Sequence, residues 1–274
     1  MVNFEEYLAE RKSSVASKEK RVVTESELRE MIKNKDPEIA DVDVSEITDM
    51  SELFKNSDFG GSWTADISGW DTSRVDNMSY MFRGCTNLTE VSLPHTEKVV
   101  NMHHMFYGCT NLKEVNLPHT ENVTNMWAMF NGCRNLTKVE LNNTSKVYSM
   151  YEMFIGCNSL VEVILPHTEK VEDMNWMFQG CKELTKVKLL HTENVTDMSR
   201  MFKNCTSLIK VELNNIDKVE NMYEMFYGCE KLEQDFSNWD VNDKSHDDMF
   251  NSCTKMKRHY PEYYPTDYKM GKWE

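Results

Sequence analysis

The chain has 274 residues, of which 40% are hydrophobic, and sets 31 Lys and Arg against 45 Asp and Glu for a formal charge of −14. That balance repels phosphate backbones and anionic headgroups, so nucleic acid and membrane surfaces are not expected as partners. No apolar run approaches the roughly 18 residues of a membrane-spanning helix, and the opening MVNFEEYLAERKSSVASKEK places charges where a signal peptide needs an apolar core. The expectation is a cytoplasmic protein.

In chain order, Thr24 and Glu27 form a capping box that opens a helix over TESELREMIKNK, with Leu28, Met31 and Ile32 facing inward. Residues 1–36 are therefore predicted to be a helical cap. Val42, Val44, Ile47, Met50 and Phe54 then follow in the order of every later unit. From there an internal repeat takes over. The cysteines fall at 85, 109, 133, 157, 181, 205, 229 and 253, each 24 residues after the last, and a Met-Phe pair keeps the same interval from Met81-Phe82 to Met249-Phe250. A first, divergent copy has Leu53-Phe54, 28 residues before the next pair. A fixed period of this length indicates a solenoid whose units bury their faces only against their neighbours.

In the copy at 125–148, Met126, Met129, Phe130 and Cys133 are spaced i, i+3, i+4, i+7, which predicts a short helical turn. The residue before the first Met is Asp, Asn or Ser in every copy from Asp49 to Ser245, a set suited to accepting the first N–H groups of a helix. Glu52, Glu152 and Glu224 complete a capping box in their copies. Gly before Cys, as at Gly132, ends the turn in the left-handed region. Leu136, Val139 and Leu141 then alternate as a short strand. The expected fold is an α/β solenoid, a superhelix of about nine 24-residue coils over residues 37–253, each a helical turn plus a parallel strand. At about 4.8 Å per strand it is a rod roughly 40 Å long. After Cys253 the segment 254–274 carries Tyr260, Tyr263, Tyr264, Tyr268 and Trp273 with Pro261 and Pro265, and is expected to be a cap over the last coil or, alternatively, an exposed tail that a partner binds.

The segments ADISGWDTSRVDNMSYMF (65–82) and QDFSNWDVNDKSHDDMF (234–250), with the Met-Phe-x-Gly-Cys-x-Asn-Leu-x-x-Val-x-Leu unit between them, resemble the BspA-like leucine-rich-repeat surface proteins of bacteria. The resemblance covers roughly residues 40–253. It implies a right-handed leucine-rich-repeat-type solenoid and a role in adhesion or protein binding, with no catalytic residues to carry over. Many relatives are exported or surface-attached, which makes export the alternative to a cytoplasmic location.

The eight cysteines are expected to be buried and reduced. Equivalent Cβ vectors in neighbouring copies run parallel and stay too far apart for the Cβ separation of about 3.8 Å that a disulfide needs. His95, His119, His167 and His191 occupy one loop column, with Glu97, Glu121, Glu169 and Glu193 nearby, and are weak candidates for a metal site. An enzyme requires different groups converging on one point, whereas a column repeats one group. No catalytic residue and no cofactor is assigned. Function is expected where the repeat varies. On the strand face these positions are Glu90, Glu114, Lys138, Glu140, Glu162, Ile164, Lys186, Lys188 and Lys210, acidic at the start and basic toward the end. On the turn face they include Tyr107, Trp127, Tyr151, Trp176 and Tyr223, aromatic types that dominate binding hot spots. The reading is a non-catalytic scaffold for another protein. Residues 1–36 are charge-neutral, so the acidity belongs to the remainder and points to a partner with a basic surface. A carbohydrate-binding adhesin and a metal site at the His column are the alternatives.

Overall fold

The computed structural model describes residues 20–256. It begins with β1 (Arg21–Val22), α1 (Glu25–Lys33), a 3-10 helix (Pro37–Asp41) and β2 (Val42–Asp43). The capping box at α1 is formed as expected. The Glu27 N–H donates to Thr24 Oγ1 at 3.2 Å and the Thr24 N–H to Glu27 Oε2 at 2.8 Å. Leu28, Met31 and Ile32 are buried against the first coil. β1 pairs in parallel with β2, and the Trp70 indole donates to the Ile39 carbonyl at 2.9 Å, so the aromatic of the first Trp-Asp pair fastens the cap to the array. The aromatic tail residues Tyr260, Tyr263, Tyr264, Tyr268 and Trp273 lie outside the described residues.

The array itself is a solenoid of 24-residue coils, as the repeat predicts. Its strands are β3 (Glu90–Ser92), β4 (Glu114–Asn116), β5 (Lys138–Glu140), β6 (Glu162–Ile164), β7 (Lys186–Leu189) and β8 (Lys210–Leu213). They pair in parallel as β3–β4, β5–β6 and β7–β8, each Val against the Val of the next coil. A second line of parallel bridges runs down the other side from Asp49 through Asn77, Asn101, Asn125, Ser149, Asp173, Asp197 and Asn221 to Ser245.

The predicted helical turn is corrected. Between Met126 and Cys133 the chain makes i→i+3 turns, with the Met129 N–H on the Met126 carbonyl (3.2 Å) and the Cys133 N–H on that of Phe130 (3.0 Å). The alternate N–H groups of Met126, Ala128, Phe130 and Gly132 leave the coil and donate to Ser149, Tyr151, Met153 and Ile155 of the next one, at 2.7–3.4 Å. An α-helix keeps those donors within its own segment. The turns need left-handed residues, at Gly132 (φ +77°) and also at Ala128 (φ +50°). The second of these positions is never glycine. It is held by Glu52, Tyr80, His104, Ala128, Glu152, Trp176, Arg200, Glu224 and Asp248, with φ between +50° and +61°. Spacing alone does not distinguish a short helix from consecutive turns, because both return the chain to the same side every three or four residues.

The Asx column acts at a turn start instead of a helix start. The side-chain oxygens of Asp49, Asn77, Asn101, Asn125, Ser149, Asp173, Asp197 and Asn221 accept from the N–H two residues on. The capping boxes assigned to Glu52, Glu152 and Glu224 are also corrected, since their left-handed backbone turns the carboxyls away. Glu52 meets Lys55 at 2.6 Å, Glu152 meets Asn131 Nδ2 at 3.2 Å, and Glu224 meets Arg200 and Lys203.

Inside, like stacks on like. The Phe rings from Phe54 to Phe226, and on to Phe250, lie 5.2–5.6 Å apart and within 6° of parallel, an offset stack running the length of the core. Phe59, Trp63 and Trp70 close the stack at one end, and Phe236 and Trp239 flank it at the other. All eight cysteines are buried and free. Each Sγ–H donates to a Phe carbonyl of the preceding coil, from Cys85 on Phe54 to Cys253 on Phe226, at 3.0–3.2 Å. Thr72, Thr96, Thr120, Thr144, Thr168 and Thr192 tie successive loops together, each hydroxyl donating to a carbonyl of the following coil.

Three predictions follow from these columns. Burial pushes the thiols of Cys205 and Cys253 up to about 12. Native protein should therefore be inert to a thiol reagent at mildly alkaline pH, while denatured protein without reductant should titrate eight thiols; four or fewer would show paired cysteines. Gly156 has φ +67° and open space where a Cβ would sit, so Gly156→Ala should cost only the backbone strain, about 1–2 kcal/mol. Gly60→Ala should cost more, because its Cβ would lie 2.7 Å from the backbone Cα of Leu88, which cannot swing aside. Paired melting curves separate the two. Burial, and then the neighbouring Asp197, raises the pKa of Asp173. Ionised Asp173 thus opposes folding at neutral pH, and Asp173→Asn, which keeps the turn acceptor, should raise Tm by roughly 1–3 °C there. The gain should vanish in acid, once the parent carboxyl is protonated.

Candidate functional site

Two faces of the rod carry the variable residues. On the strand face Glu90, Glu114, Lys138, Glu140, Glu162, Lys186, Lys188 and Lys210 are all exposed and Ile164 is half-buried, as the alternation predicts. Within this strip Lys138 pairs with Glu140 (3.4 Å) and Glu162 (3.6 Å), Lys188 approaches Glu212 (3.9 Å), and Lys210 pairs with Glu212 (3.0 Å). These pairs are solvent-exposed and contribute little stability. Between β6 and β7 the ladder opens, and a groove of about 670 Å³ lies there, lined by Val161, Val163, Ile164, Val187 and Leu190 and rimmed by Lys186, Lys188 and Lys210. Val161, Leu190 and nearby Ile209 are exposed apolar residues that the core pattern did not single out, because they occupy loop positions flanking the strands.

On the turn face the aromatics pack along the rod. Tyr80 lies 4.8 Å from His104, His104 lies 5.0 Å from Trp127, and Trp127 lies 5.7 Å from Tyr151, with Trp127 itself 40% exposed. Arg83 sits over both Tyr80 and Tyr107. Trp176 belongs to a second cluster: Arg200 sits over its ring at 4.6 Å and over Tyr223 at 4.8 Å, while Lys203 covers Tyr227. Glu224 anchors that cluster, accepting from Arg200 Nε and Lys203 Nζ at 2.6 Å each. Burial raises the Glu224 carboxyl, but the two cations more than reverse this and hold it below the ordinary glutamate value. Its contribution to stability is therefore present at neutral pH and lost only as pH falls through that lowered value. The cation–aromatic pairs were readable as a column, since Arg83 precedes Tyr107 and Lys203 precedes Tyr227 at one repeat position. The anchor Glu224 has no such signal, because its spacing from Asn221 is also that of a helix cap. Desolvation lowers the pKa of His103, and desolvation with the neighbouring His103 and Arg83 charges brings that of His104 down to about 4, so both rings are neutral at pH 7.

The loop histidines are arranged around carboxylates. Glu97 Oε1 lies 3.8 Å from His95 Nδ1 and 3.6 Å from His119 Nε2, and Glu169 Oε1 lies 3.1 Å from His167 Nδ1 and 3.7 Å from His191 Nε2. Their side chains are 39–51% exposed. Among the described residues no group of three His, Cys, Asp or Glu is arranged to hold a metal ion. No described helix is long and apolar enough to cross a membrane.

No curated protein matches the chain. Among solved structures it is similar to a leucine-rich repeat protein of T. pallidum, with 28% identity over 57% of this chain and 70% of that one and a TM-score of 0.44. It is also similar to a leucine-rich repeat protein of Eubacterium ventriosum (18% identity, 80% and 65% covered, TM-score 0.46). A third is a leucine-rich cell surface protein of Faecalibacterium prausnitzii (16% identity, 75% and 71% covered, TM-score 0.35). The family described as "Mycoplasma protein of unknown function, DUF285" matches residues 25–138, 110–183 and 162–263. The repeat that sets the coil thus carries the family signature from α1 to beyond the last cysteine, and the chain belongs to the DUF285 family.

Proposed function

We propose that this protein is a non-catalytic scaffold that binds another protein through the aromatic ladder of its turn face. The observation that supports this is the setting of Trp127, a large exposed ring held between His104 and Tyr151, its own N–H on Asn125 Oδ1 and the N–H groups of Met126 and Ala128 on the next coil. A pre-arranged aromatic loses little conformational entropy on binding, and Trp and Tyr are the types that anchor interfaces. Tyr107, Trp176 and Tyr223, braced by Arg83 and Arg200, extend the same face along the rod. The net charge of −14 favours a partner whose surface is basic overall. The relationship to BspA-like repeat proteins is part of this reading and rests on the Met-Phe and Trp-Asp columns. A reducing, cytoplasmic location is also proposed, supported by eight thiols that each serve as a donor to a carbonyl.

The test compares proteins captured from the source cell by wild type, by Trp127→Ala and by Trp127→Ala/Trp176→Ala. The single variant should weaken the specific partner about 30-fold, the effect of losing an anchor worth about 2 kcal/mol, with the melting curve little changed. An identical captured set for wild type and the double variant overturns the reading. Retention on a glycan array that depends on Trp127 would replace it with the carbohydrate-binding alternative.

A further inference from the structure

The strand face carries a charge order that its internal ion pairs satisfy only in part. At the first outward position of β3 to β8 stand Glu90, Glu114, Lys138, Glu162, Lys186 and Lys210, all exposed. Register sets Glu90 directly beside Glu114 and Lys186 directly beside Lys210, like against like at both ends of the strip. Adjacent like charges in a sheet are mutually repulsive. Only the central pair, Lys138 beside Glu162, is opposite in sign. Lys210 leans toward Glu212, but Glu90, Glu114 and Lys186 have no counter-charge within 4 Å among the described residues.

Read from the other end, the order inverts. Acid, acid, base, acid, base, base becomes base, base, acid, base, acid, acid, opposite in sign at every place. A two-fold axis perpendicular to the strip, passing between β5 and β6, would bring Glu90 to Lys210, Glu114 to Lys186 and Lys138 to Glu162 of a second copy, each pair made twice. The second outward column does not oppose this. Asn116 would meet Lys188, Glu140 would meet Ile164 and Ser92 would meet Glu212, with no like charges opposed.

We infer that the strand face is a self-complementary surface on which two copies of this chain associate antiparallel, distinct from the turn face proposed above for a different partner. Six rungs at about 4.8 Å give a strip roughly 24 Å long and two side chains wide, an area on the order of 300 Å², below the roughly 800 Å² per partner of a standard stable interface. The dimer is therefore weak, more so because each copy carries −14 overall and only the paired charges of the strip oppose that repulsion, and salt, which screens those pairs, dissolves it.

Sedimentation equilibrium tests this with the full chain. At low salt and high protein concentration the wild type should approach twice the monomer mass, and in about 1 M salt, where charges are screened beyond roughly 3 Å, it should return to the monomer. Glu90→Lys/Glu114→Lys and Lys186→Glu/Lys210→Glu should each be monomeric alone at low salt, with wild-type melting curves. Mixed in equal amounts they should form a heterodimer, because the two altered strips are again opposite at every place. A wild type that stays monomeric at low salt overturns the inference. So does a dimer that survives both variants or high salt, which belongs to another face, and so does a mixture that fails to associate. None of these outcomes touches the Trp127 reading, which is scored on a different face.

Discussion

The whole molecule depends on the set of N–H groups that leave each Met-Phe turn and donate to the next coil. In a helix those donors would be satisfied locally, and one coil would have no directional claim on its neighbour. Here Met78, Tyr80, Phe82 and Gly84 reach Asn101, His103, Met105 and Tyr107, and the pattern repeats coil by coil. Buried polar groups must be paired, so this requirement fixes the stacking and the period together. Its cost is a left-handed residue at two places per turn. Glycine meets it at one of them in most coils, with Asn56, Asn204 and Ser252 in the rest, and ordinary side chains, Trp176 and Arg200 included, are forced into it at the other. The bonds to both neighbours hold them there.

From that constraint the columns follow. Once coils are stacked in one register, each side chain packs on its own equivalent, which is why the phenylalanines form a single offset stack and why every thiol meets the same carbonyl. A column of identical residues is an answer to packing and repeats no chemistry. The thiols are donors with raised pKa values, unsuited to nucleophilic work. The ends are where the logic breaks, since a terminal coil has one neighbour. Trp63 and Trp70 lie against Phe54 at one end, and Phe236 and Trp239 flank Phe226 near the other.

Function is left to the residues that the stack does not use, and the two faces differ in kind. The turn face is rigid, with aromatic rings locked by arginine, lysine and Glu224. The strand face is polar and exposed, and its internal ion pairs leave Glu90, Glu114 and Lys186 unanswered. One surface therefore suits anchoring by ring burial, and the other suits recognition by charge order.

By itself the amino-acid sequence determined the period, the coil number, the strand positions, the buried columns and the outward strip from Glu90 to Lys210, because each depends only on spacing and on polarity. The α1 capping box belongs with these, being a local hydrogen-bonding preference. Only the tertiary structure decided that the Met-Phe segment is a pair of turns, that Glu52, Glu152 and Glu224 point away from the helix starts assigned to them, and that Trp176 joins Arg200 and not Tyr151. The reason is common to all three. A hydrophobic spacing records which side of the chain is buried, whereas the choice between a helix and a turn rests on whether an N–H finds its acceptor four residues back or in a neighbouring coil, and that is settled only when the neighbour is in place.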